Sequence, residues 1–329
     1  MTKQHDRQLF VKKMDGSFEL FDQFKLKDSL IKAGAQENQA DKIVHTVIEA
    51  FLDEGKHTHL ANHGEVTGHG NKKGETHEPV GIYTSASEIY ERAFHLLKDH
   101  SRVVAARYSL RRSLLEFGPT GFPFEEYVAQ LFNARWGLEA VTDQVVLGGC
   151  VAHEVDVVAW GKRKDNVSGE SEFDEKLIMA EVKYHHDPAS KTDLKVTLYV
   201  KARYDDLRET LFDYGGRRRK LDEGWLVTNT QFTETAIIYG ECKGLKLLSW
   251  NYPEKENLRT MIESTLLHPV TCLTTLNSAE KRHLLEKDIV LAKSLFDNVR
   301  EMEILGFTKE KIEVILGEVS DIIKTVPTE

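Results

Sequence analysis

Apolar positions recur every second residue in some stretches and every third or fourth in others, and these two periods divide the chain into three textures. Over residues 8–115, the arms of FVKKMDGSFELF alternate about the turn dipeptide Asp15-Gly16, which predicts a β-hairpin. Helical spacing follows at about 25–35, 38–53, 86–99 and 101–116. Between the second and third of these helices, EGKHTHLANHGEVTGHGNKKGETHEPVG is polar and Gly-rich and predicts a loop insertion.

Gly118-Pro119-Thr120-Gly121 then breaks the chain. A helix is expected over about 122–137, followed by strands near 143–147, 154–160 and 177–183, with the acidic stretch 164–176 as the loop between the last two. A long helix over about 192–213 precedes strands near 224–229, 235–239 and 246–250, and Pro253-Glu254 opens a helix to about 267. The region from about 268 is helical throughout. Ser278 is placed to cap a helix with Leu284, Leu285, Ala292 and Leu295 available for one face, and Thr308 to cap another that runs to about Lys324. The expected fold class is α/β (α+β). It comprises a mostly helical front domain with a β-hairpin (8–115), a central mixed β-sheet flanked by helices (119–265) and a small helical C-terminal region (268–329).

Composition narrows the functional classes. With 329 residues, 40% hydrophobic and 29% charged, the chain reads as a soluble globular protein of about two domains. No apolar run approaches the roughly 18 residues needed to span a bilayer, and MTKQHDRQLF is too polar for a signal peptide, so a cytoplasmic protein with no membrane partner is expected. Cys150, Cys242 and Cys272 are far apart and form no CxxC pair, which fits a reduced compartment. The net charge of −9 weakens nucleic-acid binding by the molecule as a whole but leaves room for a local patch. Arg217-Arg218-Arg219-Lys220 is the strongest such cluster, with Lys201, Arg203 and Arg208 on the preceding helix; a solvated loop is the plainer reading. His57, His59, His63, His69 and His77 share one loop, but their spacing fits no ligand pattern.

The candidate chemistry lies in LIMAEVKYHH (177–186), where an apolar strand ends in Glu181, Lys183, His185 and His186. Side chains alternate across a strand, so positions 181 and 183 share a face, and a half-buried carboxylate and ammonium there need a partner, a metal or a wet cleft. The chain holds five [Asp/Glu]-x-Lys triplets, and only Glu181-Val182-Lys183 closes an apolar strand. Asp156 sits within the apolar strand HEVDVVAW, and Glu125 in the first turn of the helix GFPFEEYVAQLF. Three carboxylates from these elements can converge on a hard divalent cation, Mg²⁺ or Mn²⁺, with Asp156, Glu181 and Glu125 as ligands. Lys183 beside it can orient or help deprotonate a water and stabilise negative charge at phosphorus, with the electrostatic role favoured by its high free pKa. His185 shares that face if the strand persists, where it can contact phosphate or position a water; the alternative is that it begins the next loop.

The order of helix, strand, strand with Asp, strand with Glu-x-Lys, helix and strand resembles the PD-(D/E)xK nuclease core. GFPFEEYVAQLF…EVDVV…MAEVKYH is similar to the Mrr-like type IV restriction endonuclease branch, over about 119–250. That resemblance implies Asp156 and Glu181 as metal ligands, Lys183 as the catalytic lysine and Glu125 in support; many relatives have Gln where Glu181 stands, and the Pro-Asp of the superfamily name is here Val155-Asp156.

The front region VKKMDGSFELFDQFKLKDSLIKAG, with VAARYSLRRS at 104–113, resembles the ATP-cone, a regulatory nucleotide-binding module. The resemblance implies ATP or dATP bound with Lys13 and Lys25 (and Lys12, one position early) toward the phosphates, and Glu19 and Asp22 toward base or ribose. Met14 stands where the pattern has Arg.

Together these features predict a Mg²⁺-dependent endonuclease acting on DNA, regulated by an adenine nucleotide and working as a homo-oligomer. A non-cleaving, nucleotide-regulated DNA-binding or repressor protein is the alternative. An NTP hydrolase ranks last because no GxxxxGK[ST] loop is present.

Overall fold

The structure, a computed structural model, describes residues 8–13, 16–58, 81–162 and 175–324. Of the His-rich stretch, His59, His63, His69 and His77 lie outside the described residues, as do Met14, Asp15 and most of the acidic stretch. The chain divides into two compact units between Tyr108 and Ser109.

The first unit opens with strands β1 (Leu9–Lys12) and β2 (Phe18–Leu20), paired antiparallel through Phe10–Leu20 and Val11–Glu19. Gly16 adopts φ +82°, the left-handed geometry that a glycine supplies in a tight turn. Helices α1 (Gln23–Lys32) and α2 (Glu37–Thr58) follow near the expected positions, and α2 runs on to Thr58, into the stretch expected as a loop. A strand not anticipated from the sequence, β3 (Ile82–Ser85), lies parallel to β1 and completes a sheet in the order β2-β1-β3. Four residues are too few for a period to emerge. Ser85 and Glu88 form a reciprocal capping box at the start of α3 (Ala86–His100), and α4 (Arg102–Tyr108) ends the unit. Its core holds Leu26, Leu30, Ile43, Val47, Phe51 and Leu97.

In the second unit, α5 (Phe122–Trp136) starts on a Pro-containing first turn and stops at Gly137, φ +71°. Strands β4 (Glu139–Leu147), β5 (Ala152–Lys162) and β6 (Glu175–Lys183) form an antiparallel meander. Helix α6 (Leu194–Leu207), capped by Asp193, crosses to β7 (Glu223–Thr228), which lies parallel to β6. The expected long helix stops at Leu207, and the chain turns through a short hairpin of Phe212–Tyr214 against Arg217–Arg219 instead. Residues 235–239 were expected as a strand, yet Thr233 caps a helix there, α7 (Glu234–Cys242). The β-prone run TAIIY packs one face on the sheet, and tertiary context overrides its propensity. Strand β8 (Lys246–Leu248) then adds parallel to β7, giving the sheet order β8-β7-β6-β5-β4.

This is the expected mixed α/β class, with antiparallel and parallel strands in one sheet and helices around it. Helix α8 (Leu258–Thr265) begins at Asn257, later than the Pro253 start expected. Helix α9 (Ser278–Leu285) is capped by Asn277 rather than Ser278, and α10 (Lys309–Lys324) follows Thr308 as anticipated. The C-terminal helices belong to the same unit as the sheet: Tyr127 on α5 donates to the Leu267 carbonyl at 2.7 Å and Thr271 to the Ser113 carbonyl at 2.8 Å.

Candidate active site

The geometry begins at the end of β6. Glu181 and Lys183 share a face as the alternation requires, and Lys183 Nζ lies 2.6 Å from Glu181 Oε1. The Glu181 side chain is 8% exposed and that of Lys183 35%. The second carboxylate oxygen, Oε2, accepts a hydrogen bond from Arg203 on α6, whose side chain is 13% exposed. The Arg203 guanidinium in turn lies 5.4 Å from the centroid of the Tyr199 ring, one helical turn earlier. A buried carboxylate held between two cations is tolerated where a lone one is not.

Asp156 on β5 stands beside this group. The β5–β6 ladder runs from Lys162–Glu175 to Val157–Ala180 and then opens; Asp156 Oδ2 accepts the Val182 N–H at 2.6 Å in place of a backbone carbonyl. Burial and then the neighbouring Glu181 charge push the Asp156 pKa up to about 6, against the opposing pull of the Val182 bond, Lys183 and Arg203. On the other side of β5, Thr142 pairs with Val157 and Gln144 with Val155, leaving Asp143 between them at φ +54°.

Glu125 sits in the first turn of α5. Burial, then the charges of Asp156, Asp143, Glu154 and Glu181, push its pKa up to about 7. The chain comes close here: a Cβ at Gly121 would lie 3.2 Å from Glu125 Oε1 and 3.6 Å from the Tyr184 Cβ. Glu125, Asp156 and Glu181 therefore share one electrostatic field. Among the described residues, however, no three His, Cys, Asp or Glu side chains stand close enough to hold one ion together. The donor set still fits a hard divalent cation. Mg²⁺ binds through one or two carboxylates and keeps its remaining waters, and Asp156 and Glu181 on adjacent strands are oxygen donors in mutual repulsion.

His185 lies beyond the strand end. Its backbone N–H donates to Asn229 Oδ1 and its carbonyl accepts from Asn229 Nδ2, both at 2.8 Å, and its ring Nε2 lies 3.0 Å from Thr192 Oγ1. The ring is thus tied to Thr192, and burial followed by the Lys183 charge holds its pKa below the usual value. Tyr184 donates to the Leu115 carbonyl at 2.6 Å and meets the His186 ring edge-on.

The basic cluster is largely committed to partners. Arg217 and Arg219 both lie 3.2 Å from Glu175, Lys201 pairs with Asp205, and Arg203 serves Glu181. The roles of Arg203 and Asp143 were not legible in the sequence. Arg203 is separated by 22 positions from Glu181, and the only hint was a Tyr four residues before an Arg on a half-buried helix.

In the first unit, Lys13 and Lys25 both pair with Glu19, and their hydrogen bonds hold its carboxyl down at about 2. Asp22 accepts from the Phe24 N–H at 2.9 Å as the cap of α1. Lys12 lies 5.8 Å from the Phe18 ring centroid. Glu19, Asp22 and Lys25 line a cavity of about 540 Å³ with Phe21 and Phe24; Lys12 and Lys13 do not line it.

Residues 268–323 match the family described as AF1548-like, C-terminal. A relative from Archaeoglobus fulgidus, described as an uncharacterized protein, is 31% identical over 188 residues, 57% of this chain and 95% of the relative. The chain belongs to the AF1548-like family. Among solved structures this AF1548-like chain is similar to the crystal structure of a protein of unknown function, AF1548, at 29% identity and a TM-score of 0.47, over 62% of this chain and 99% of that one. It is also similar to the MspJI restriction endonuclease in complex with a 27-mer oligonucleotide, at 14% identity and a TM-score of 0.31, over 56% of this chain and 36% of that one. In the AF1548-like C-terminal segment, buried Glu318 on α10 accepts from the backbone N–H and hydroxyl of both Thr274 and Thr275, at 2.6–3.0 Å. Among the described residues no helix is long and apolar enough to cross a membrane.

Proposed function

We propose that the second unit is a Mg²⁺- or Mn²⁺-dependent endonuclease that hydrolyses phosphodiester bonds in DNA, resembling the Mrr-like branch of the PD-(D/E)xK nucleases. The observation that carries this reading is the contact of Glu181 with Lys183 at the end of β6, beside an Asp156 whose carboxylate takes over where the β5–β6 ladder opens. Asp156 and Glu181 would hold the ion, which supplies charge neutralisation at phosphoryl oxygens and activation of water. Lys183, the more exposed cation of the pair around Glu181, offers its ammonium to the charge that builds on the phosphoryl group. Glu125, with a pKa near 7, can hold or release a proton at neutral pH.

For the first unit, the proposed ligand is ATP or dATP in the cavity lined by Glu19, Asp22 and Lys25, with a nucleotide-dependent homo-oligomer as its output. Because Glu19 engages both Lys13 and Lys25, a triphosphate must compete with that carboxylate for them.

One observation favours a second reading, a non-cleaving, nucleotide-regulated DNA-binding or repressor protein: both oxygens of Glu181 are already engaged, by Lys183 and Arg203. Supercoiled plasmid incubated with the full chain and Mg²⁺ or Mn²⁺, with and without ATP or dATP, separates the two. Nicking or linearisation that disappears in Asp156→Asn supports the nuclease. A mobility shift without strand breaks supports the second reading and overturns the first.

A further inference from the structure

We infer that Arg203 is a positioning residue of the cation site, a resident positive charge that takes Oε2 of Glu181 out of play and leaves Oε1 as the oxygen Glu181 can offer to a divalent ion. The inference rests on the reading of Asp156 and Glu181 as the ion's ligands. Three observations carry it. Arg203 reaches Glu181 from α6, so its grip is independent of β6. Of the two cations on Glu181 it is the more buried, 13% exposed against 35% for Lys183. The Tyr199 ring lies beside its guanidinium, so the arginine is held on the helix as well as at the carboxylate.

These facts set different fates for the two cations. Glu181 would have to release one partner to hold a divalent ion, and the flexible, more exposed Lys183 ammonium on Oε1 is the one it could release. Lys183 released from Glu181 would be free to meet the phosphoryl group, while Arg203 would keep the carboxylate in one orientation. The arrangement has an electrostatic cost. A fixed guanidinium near the ion lowers the site's affinity for any cation, because like charges repel in a poorly screened setting.

The test compares Mn²⁺ binding by the metal-free full chain, read from the electron paramagnetic resonance of free Mn²⁺, with cleavage measured in parallel. Arg203→Met removes the competing charge and frees Oε2. It is expected to bind Mn²⁺ about tenfold more tightly while kcat for cleavage falls by about tenfold or more and KM for DNA stays near wild type. Arg203→Lys keeps the charge and is expected to hold Mn²⁺ affinity near wild type and to recover part of kcat. A merely structural arginine predicts a fall in both quantities. Arg203→Met with wild-type fold by circular dichroism and unchanged or weaker Mn²⁺ binding overturns the inference and leaves the cation-site reading standing. Wild-type protein that binds no Mn²⁺ overturns both.

Discussion

Asp156 Oδ2 and the Val182 N–H are 2.6 Å apart, and this one bond replaces the backbone ladder that joins β5 to β6 over the preceding residues. A side-chain acceptor at this position has two tasks under the proposed function: it satisfies a strand amide, and it carries a carboxylate charge that a divalent ion would use. The two tasks separate by mutation. Asp156→Asn retains an amide oxygen that can accept from Val182 and is expected to lose metal-dependent cleavage with little loss of stability. Asp156→Ala leaves the amide without its acceptor and should cost about 1–3 kcal/mol in addition. Urea unfolding alongside plasmid nicking checks both.

Glu181 and Lys183 differ in burial, and their variants should differ accordingly. Glu181→Ala strands the Arg203 guanidinium, 13% exposed, without its carboxylate and is expected to cost about 3–5 kcal/mol of stability. Lys183→Met removes a partly exposed partner and should cost under about 1 kcal/mol, yet abolish cleavage. A Lys183→Met protein that cuts DNA at the wild-type rate would refute the assignment of its ammonium.

A pH-dependent tie joins α6 to the β4–β5 connection. Asp206 accepts from the Cys150 N–H at 2.8 Å and meets His153 Nε2 at 2.8 Å, and these bonds, the histidine first, hold its carboxyl down at about 2. Its folded pKa lies below the unfolded value near 3.9, so its stabilisation is present above pH 4 and is lost as the pH falls toward 2. Asp206→Asn should therefore lower Tm between pH 5 and 7, with the gap to wild type closing near pH 2. A gap that stays constant across the titration would show that the charge contributes nothing.

Glu318 is buried and meets four donors from Thr274 and Thr275. Glu318→Ala leaves the two backbone amides among them without an acceptor and is expected to cost about 3 kcal/mol, measured by thermal or urea unfolding. Glu318→Gln keeps one acceptor oxygen and should fall between wild type and Glu318→Ala.

Much of the candidate site could be read in the sequence because strand alternation is a strict rule. Glu181 and Lys183 had to share a face, and Asp156 had to interrupt an apolar strand. The helix that bears Glu125 was expected over about 122–137, after the Gly118-Pro119-Thr120-Gly121 break, and it runs from Phe122 to Trp136. The rest depends on contacts that no local pattern encodes. Arg203 reaches Glu181 only because α6 packs across β6, and Asp143 enters the acidic field because β4 places it opposite Asp156 in a left-handed conformation. The strand expected at 235–239 failed for the same reason in reverse: Thr233 capping and packing on the sheet decided in favour of a helix. His185 was expected to share the face of Glu181 and Lys183 if the strand persisted and to begin the next loop otherwise; β6 ends at Lys183, and Asn229 takes hold of the chain beyond it.

The Tyr127 hydroxyl has a wider consequence. Tyr127 sits fully buried on the helix that bears Glu125, and its one acceptor is the carbonyl of Leu267, just ahead of the family's C-terminal segment. Trimming the protein ahead of that residue would leave the buried Tyr127 hydroxyl on the Glu125 helix without its acceptor, at a cost of about 1–3 kcal/mol. Anyone who shortens this molecule to its smallest folded piece should look for the cut elsewhere.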